Sequence, residues 1–446
     1  MFSIDTPAPP HGANGLEPKL WSRHTVRRPD GVVTIGGVAL TDVAEQYGTP
    51  AYVYDEAEFR LRCDEFRRAF HDFDVYYAGK SFLCRAVARW VAESGIGLDV
   101  CTEGELRLAL SAGFPAERIV LHGNNKSAVE LELGVEHRVG RIVVDSFDEI
   151  ERLSTLAADR GVRPAVLVRA TVGVRPDTHD NIATAHEDQK FGFSVASGAA
   201  AEAVELIRAG GVLDLRGLHI HLGSQIFGTR EYEFGIGCAV ALLADLAKTG
   251  DELSELSLGG GFAIAYTPDQ TALPVTELAE RLRSSVGDAC RAAGIRVPRL
   301  AIEPGRAISG PSGATVYRVG TIKHLPGLRT YIAVDGGMSD NIRPPLYDGV
   351  YVAVVAGRDV DGDDTPVRVV GRHCDAGDVV VRDDVLPSGV RLGDLLAVPG
   401  TGAYCRSLSN NFNHVPRPPV VAVLDGRARL IVRGETFDDL FGLDVG

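Results

Sequence analysis

The sequence predicts an α/β chain in which a (β/α)8 TIM-type barrel is followed by an all-β domain, a C-terminal β-sandwich or β-barrel joined by an N-terminal strand. Three observations predict it. From about Thr49, short apolar and β-branched runs alternate with longer stretches of helical periodicity. Eight such runs occur before Pro311, at 75–78, 98–101, 119–122, 142–144, 165–170, 215–221, 256–258 and 300–302. Beyond Pro311 the helical period fades and strand-like runs follow one another across short turns.

Between the first eight runs lie helical segments such as 86–94, 103–112, 146–159 and 275–293. In 146–159 the apolar set Phe147, Ile150, Leu153, Leu156 and Ala157 repeats at helical spacing. Asp145 or Ser146 caps its start, with Glu149 at the capping-box position for Ser146. Alternating βα units imply a parallel sheet. Eight strands within about 250 residues imply closure into a barrel. The later runs, at 314–321, 330–334, 351–355, 367–370, 395–398, 420–424 and 428–432, are punctuated by Gly and Asp, as a β domain requires. Residues 32–35 read as a strand of that same domain. The expected organisation is an N-terminal extension over 1–30, a barrel over 48–310, and a β domain from 31–47 and 311–446.

Composition excludes several classes. The chain has 446 residues, with 46 Lys+Arg against 60 Asp+Glu, a formal charge of −14. That balance argues against nucleic acid or an anionic membrane as partner. No apolar run approaches the ~20 residues of a membrane span, and residues 1–30 lack the apolar stretch of a signal peptide. The seven cysteines are scattered, form no CxxC pair and predict no metal site. They read as reduced thiols and place the chain in the cytoplasm. The only lysines are Lys19, Lys80, Lys126, Lys190, Lys248 and Lys323, so any amine chemistry falls on one of these.

A barrel gathers its chemistry at the C-terminal ends of its strands. The first strand ends Tyr77-Ala78-Gly79-Lys80, the sixth runs through His221-Leu222-Gly223-Ser224, the seventh meets Gly259-Gly260-Gly261 and the eighth meets Glu303-Pro304-Gly305-Arg306. Singly these are weak signals: a strand-end Lys is usually a surface charge, a strand-end His usually structural, a triple glycine usually a turn. Together they define a chemistry. Three glycines bring backbone N–H groups to an anion and Ser224 adds a hydroxyl, a phosphate cradle on strands six to eight. Lys80 lies on the opposite side of the mouth. A phosphate-bearing aldehyde held at both ends is pyridoxal 5'-phosphate. His221 would lie against the ring, and Glu303 would keep the pyridine nitrogen protonated.

With these motifs in order, the chain resembles the alanine-racemase-like (fold type III) pyridoxal-phosphate enzymes, and among them the diaminopimelate decarboxylase family. The resemblance runs from about Val32 to Asp444. It is densest in the segments above and in His122-Gly123-Asn124-Asn125-Lys126-Ser127, Asp335-Gly336-Gly337-Met338-Ser339-Asp340-Asn341-Ile342-Arg343 and Gly402-Ala403-Tyr404-Cys405. It implies that Lys80 carries the cofactor as a Schiff base, that His221 stacks on the ring, and that Glu303 pairs with the pyridine nitrogen. Ser224, Gly259, Gly260 and Gly261 would hold the phosphate, with Tyr404 adding a donor. Asp99, Glu105 and Arg169 would support the cofactor. The family forms a head-to-tail homodimer whose active sites lie between one subunit's barrel and the other's β domain. Cys374, in His373-Cys374-Asp375-Ala376-Gly377-Asp378, would then donate a proton across that interface. The bland reading of any Cys is a small buried hydrophobe.

The family reads the distal carboxylate of its substrate with two arginines and a tyrosine, which Arg306, Arg343 and Tyr347 match. A bidentate cation suits a distal acid and does not suit a bare ammonium. The implied reaction is decarboxylation of a diamino acid, foremost meso-2,6-diaminopimelate to L-lysine. One position departs: Asp375-Ala376 stands where the family carries Glu-Ser reading the distal amino group. Asp is a methylene shorter and Ala has no side-chain donor or acceptor. A decarboxylase acting on a modified or shorter diamino acid in a specialised pathway therefore stays open. Two further alternatives are weaker. Racemases of this fold place Arg at the pyridine nitrogen, and non-catalytic pyridoxal-phosphate carriers resemble the barrel alone.

Overall fold

The computed structural model describes residues 14–173, 188–250 and 252–446. The chain divides into two compact units, one of residues 62–263 and 272–305, the other of the chain up to Leu61 with 264–271 and 306–446.

The first unit is a closed barrel of eight parallel strands: Phe73–Ala78, Gly97–Val100, Ile119–Leu121, Arg141–Val144, Ala165–Thr171, Asp214–His219, Glu255–Ser257 and Arg299–Ile302. Closure is by Arg299–Ile302 on Phe73–Ala78, with Leu300 opposite Phe73. All eight strands lie where the pattern predicts. Runs of Val, Ile and Leu are buried on both faces, as in Ile119–Leu121, because helices cover the outside and side chains fill the lumen. The expected helices form at Arg85–Glu93, Glu103–Ser111, Phe147–Arg160 and Val275–Ala293. The helix start at Ser146 differs in one respect. The Ser146 hydroxyl accepts from the Glu149 N–H at 3.3 Å, but Glu149 does not return a bond to Ser146. Its carboxylate instead accepts from the Asp145 N–H at 3.1 Å and from Lys126 Nζ at 2.7 Å. Phe147, placed on the apolar face by its spacing, is 37% exposed and meets Phe193 edge-on.

In the second unit the sheet order is Val379–Pro387, Asp364–Val370, Arg329–Val334, Gly313–Leu325, Ala51–Asp55, Val420–Leu424 and Arg427–Val432. Leu395–Pro399 also pairs with Gly313–Leu325 and carries Val354–Val355 on its other edge. Two strands of this sheet fall outside the expectation. Ala51–Asp55, assigned by sequence to the barrel, lies between Gly313–Leu325 and Val420–Leu424. Its residues are buried on both faces, so its pattern is that of a barrel strand. Val379–Pro387 was not anticipated, because Arg382-Asp383-Asp384 at its centre reads as a turn. Only Val354–Val355 of the 351–355 run pairs. Val33–Ile35 joins Thr25–Arg27 and Val38–Ala39 in a small antiparallel sheet, and the Val33 N–H reaches the Ala356 carbonyl at 2.9 Å. The stretch read as an extension contributes Leu20 and Trp21 to this unit's core, beside Val53, Val316 and Val421; its residues 1–13 lie outside those described. No helix among the described residues is long and apolar enough to cross a membrane.

Candidate active site

At the C-terminal mouth of the barrel, Glu303 is the centre of a buried cluster. Burial alone would raise its carboxyl pKa, but the imidazoles of His219 and His122 outweigh that and hold it well below the usual carboxylate range. Oε2 lies 3.0 Å from His219 Nε2, and Oε1 accepts from Ser257 Oγ at 3.1 Å. His122 Nε2 stands 3.3 Å from Oε1 and 3.8 Å from Asp99 Oδ1. Burial pushes His219 down from its ordinary value, and its Nδ1 is buried without a hydrogen-bond partner. The N–H that His219 turns towards Glu303 is therefore the one on Nε2.

His221 is also neutral. Burial pushes it well down, and the nearby charges of Lys80 and Arg169 act in the same direction. Its Nδ1 accepts the Gly260 N–H at 3.1 Å, which leaves the proton on Nε2. The Gly259 N–H reaches Ser257 Oγ at 3.3 Å. Two of the three glycine N–H groups are therefore used inside the protein, and among the described residues none accepts from the Gly261 N–H. The loop is tight. A Cβ on Gly260 would lie 2.2 Å from the Glu303 carbonyl oxygen, and one on Gly261 2.5 Å from that of Gly223. Gly261 also has φ +104°, which an L side chain rarely adopts. The Gly261 carbonyl accepts from the Ile226 N–H at 2.9 Å, which brings the segment of Ser224 alongside.

Lys80 is exposed at the end of the first strand. Its charge acts on Cys101, Glu105 and His221. Asp99 is buried beside it, with Ala78 opposite Asp99 in the sheet and Cys101 Sγ 3.7 Å from Oδ1. Glu105 accepts the Cys101 N–H at 2.7 Å. Arg169 stacks on Phe191 at 4.6 Å and lies 3.9 Å from Asp145. The residues fit pyridoxal phosphate. There is an amine at one side, an ionised buried carboxylate for the ring nitrogen, a neutral imidazole for the ring face, and a glycine N–H with a Ser for the phosphate. His122, His219 and Glu303 also bring ligand-type atoms within 4.8 Å of one another. The sequence marks Glu303 and carries His122 in a motif, but nothing in their spacing shows that they meet His219.

The second unit holds the remaining predicted residues in two groups. Arg306 Nη1 donates to Tyr266 Oη at 2.6 Å, and its guanidinium lies 4.7 Å from the Tyr404 ring. Arg343 is buried, stacks on Tyr266 at 4.7 Å and donates to Tyr351 Oη. Among the described residues no carboxylate pairs with Arg343. Tyr347 closes the short helix Arg343–Tyr347 and is half-buried. The other group is the exposed loop of Cys374 and Asp375. Asp378 anchors it by accepting from the N–H groups of His373 at 2.7 Å and Met338 at 2.6 Å. Asp375 Oδ1 turns back onto the Gly377 N–H at 2.7 Å. Sequence reasoning gave no role to His122, His219, Ser257, Tyr266 or Tyr351. For His219 a signal existed: His-Ile-His puts it two residues from His221, on the same face of the strand.

This fold with this site defines a pyridoxal-phosphate-dependent decarboxylase, and the family model of the pyridoxal-dependent decarboxylase pyridoxal-binding domain matches residues 56–310. The diaminopimelate decarboxylase of Mycobacterium tuberculosis (strain H37Rv) is 51% identical, covering 96% of this chain and 98% of its own. That of Bacillus subtilis is 45% identical over 93% and 95%. A crystal structure of diaminopimelate decarboxylase from M. jannaschii in complex with L-lysine superposes with a TM-score of 0.89 at 30% identity, covering 96% and 99%. The chain belongs to the diaminopimelate decarboxylase family.

Proposed function

We propose that the chain converts meso-2,6-diaminopimelate to L-lysine and carbon dioxide with pyridoxal 5'-phosphate, in the cytoplasm, as a homodimer with shared active sites. The observation that carries the reading is the buried Glu303, hydrogen-bonded by His219 and Ser257, at the barrel mouth that Lys80 also occupies. Bound pyridoxal phosphate supplies an aldehyde for the amine and a protonated ring that takes up the electron pair left when carbon dioxide departs. Lys80 would hold the cofactor through its amine. Glu303 holds the proton on the ring nitrogen, which a neutral carboxylic acid would not do. His221, uncharged and fixed by Gly260, offers a flat face without repelling that proton. The Gly261 N–H, Ser224 and Tyr404 bind the phosphate, while Gly259 and Gly260 shape the loop. Asp99 and Arg169 support the cofactor from neighbouring strands.

Arg306, Arg343 and Tyr347 hold the distal carboxylate. A buried guanidinium with a tyrosine shell and no carboxylate of its own favours an anionic ligand. Cys374 of the partner would donate a proton to the carbon that lost carbon dioxide, replacing the bond to the carboxylate. Asp375, drawn onto Gly377, reads the distal ammonium at longer range than a Glu would. The test is carbon dioxide release from meso-diaminopimelate, lysine, ornithine and arginine in parallel. Diaminopimelate turns over, and the others trail by on the order of 10⁴ in kcat/KM, as for substrates that leave a polar-reading site unpaired. Faster turnover of ornithine or lysine would overturn the substrate and point to Asp375-Ala376 as the determinant.

A further inference from the structure

We propose that His219 is a positioning residue that keeps Glu303 ionised and aimed, so that the cofactor's ring nitrogen, rather than Glu303, carries the proton. The inference rests on the reading of Glu303 as the partner of that nitrogen. A carboxylate only 5% exposed would by burial alone tend to neutralise. Two hydrogen bonds hold this one, and a third nitrogen stands close by without bonding it. His219 Nε2 is 3.0 Å from one oxygen, and Ser257 Oγ is 3.1 Å from the other. His122 Nε2 lies 3.3 Å from that second oxygen.

His219 is suited to donate without surrendering its proton. Its Nδ1 has no partner in a buried setting, so the ring makes its one hydrogen bond through Nε2 to Glu303. The side chain is only 1% exposed, and the His122 ring packs edge-on against it at 4.7 Å. It therefore has one orientation and one tautomer. A flexible donor would satisfy the carboxylate equally well but would leave its direction open. Ser257 Oγ is pinned in turn, since it accepts the Gly259 N–H at 3.3 Å. The cluster thus ties the aim of Glu303 to the same loop that fixes His221.

The test uses holoenzyme loaded with ring-¹⁵N pyridoxal phosphate. In the parent the ring nitrogen resonates as protonated. In His219→Leu the resonance shifts towards the unprotonated position and kcat falls about 10- to 100-fold, the usual effect of losing an outer-shell partner, with KM for substrate little changed. His219→Gln, whose amide N–H still reaches the carboxylate, restores most of both. Should His219→Leu fail to fold or to load, Ser257→Ala and His219→Gln carry the comparison, with Ser257→Ala shifting the resonance in the same direction. Glu303→Gln is the control. If it leaves the ring nitrogen protonated, Glu303 is not its partner, and the underlying reading falls with the inference. If Glu303→Gln shifts the resonance while His219→Leu keeps the parent resonance and kcat, the inference alone is overturned.

Discussion

Replacing Lys126 with Met should destabilise the barrel at neutral pH and much less at acid pH. Lys126 is fully buried, and its ammonium is shared among Glu149 Oε1 at 2.7 Å, the Gly123 carbonyl at 2.7 Å and the Val143 carbonyl at 2.6 Å. Burial pushes the Glu149 carboxyl up from its ordinary value even with the ammonium beside it. Removing one member of such a pair costs about 3–5 kcal/mol, because the other charge stays buried. Glu149 can escape by taking a proton. For a carboxyl of ordinary pKa this costs ~1.36 kcal/mol per pH unit, hence ~4 kcal/mol at pH 7 and ~1 kcal/mol at pH 5. The sign follows: a carboxyl raised in the folded state binds more protons there than when unfolded, so the variant recovers stability as pH falls. The loss should shrink by about 3 kcal/mol between pH 7 and pH 5. Lys126→Met/Glu149→Gln removes the stranded charge and keeps an acceptor for the Asp145 N–H, so it should regain about 2 kcal/mol at pH 7. Urea unfolding of holoenzyme in a Trp21→Phe background reads the barrel through Trp90, the other of the two tryptophans. A loss below 1 kcal/mol at pH 7, or an equal loss at both pH values, would refute the reasoning.

Two further outcomes test the assignment of roles. Mixing inactive Lys80→Ala and Cys374→Ala chains under conditions that exchange subunits should restore about a quarter of parental activity, because half the dimers then hold one intact shared site; no recovery would mean that each chain uses its own Cys374. Arg343→Leu should raise KM for diaminopimelate by on the order of 10²-fold, the loss of a charge-assisted bidentate contact, while the absorbance band of the bound cofactor is retained. A change confined to kcat would remove Arg343 from substrate binding.

Where one residue's environment is set by its own strand, the sequence was enough. The eight barrel strands are legible because burial on both faces writes unbroken Val, Ile and Leu runs between helical periods. Lys80, His221 and Glu303 are legible because strand ends are where this architecture places chemistry. Ala51–Asp55 defeats the same logic: burial on both faces looks alike in either unit, and only the partners Gly313–Leu325 and Val420–Leu424 decide. Val379–Pro387 fails for the opposite reason, since Arg382-Asp383-Asp384 breaks the apolar run while the strand pairs on either side of a register shift there. The glycines show a subtler limit. Gly259-Gly260-Gly261 reads as three equal donors, yet Gly260 serves His221 and Gly259 serves Ser257, so anion binding falls to Gly261. Lys126 is the clearest case. Among six lysines its motif marked it out without saying why. The reason is Glu149, 23 positions away, which the local pattern had assigned to a capping box. That same carboxylate accepts from Asp145 and Lys126 together, so it ties the loop after His122 to the strand end at Val143–Asp145. A residue that looks like spare catalytic charge is therefore a buried tie, and its loss should act on the stability of the barrel mouth before it acts on chemistry.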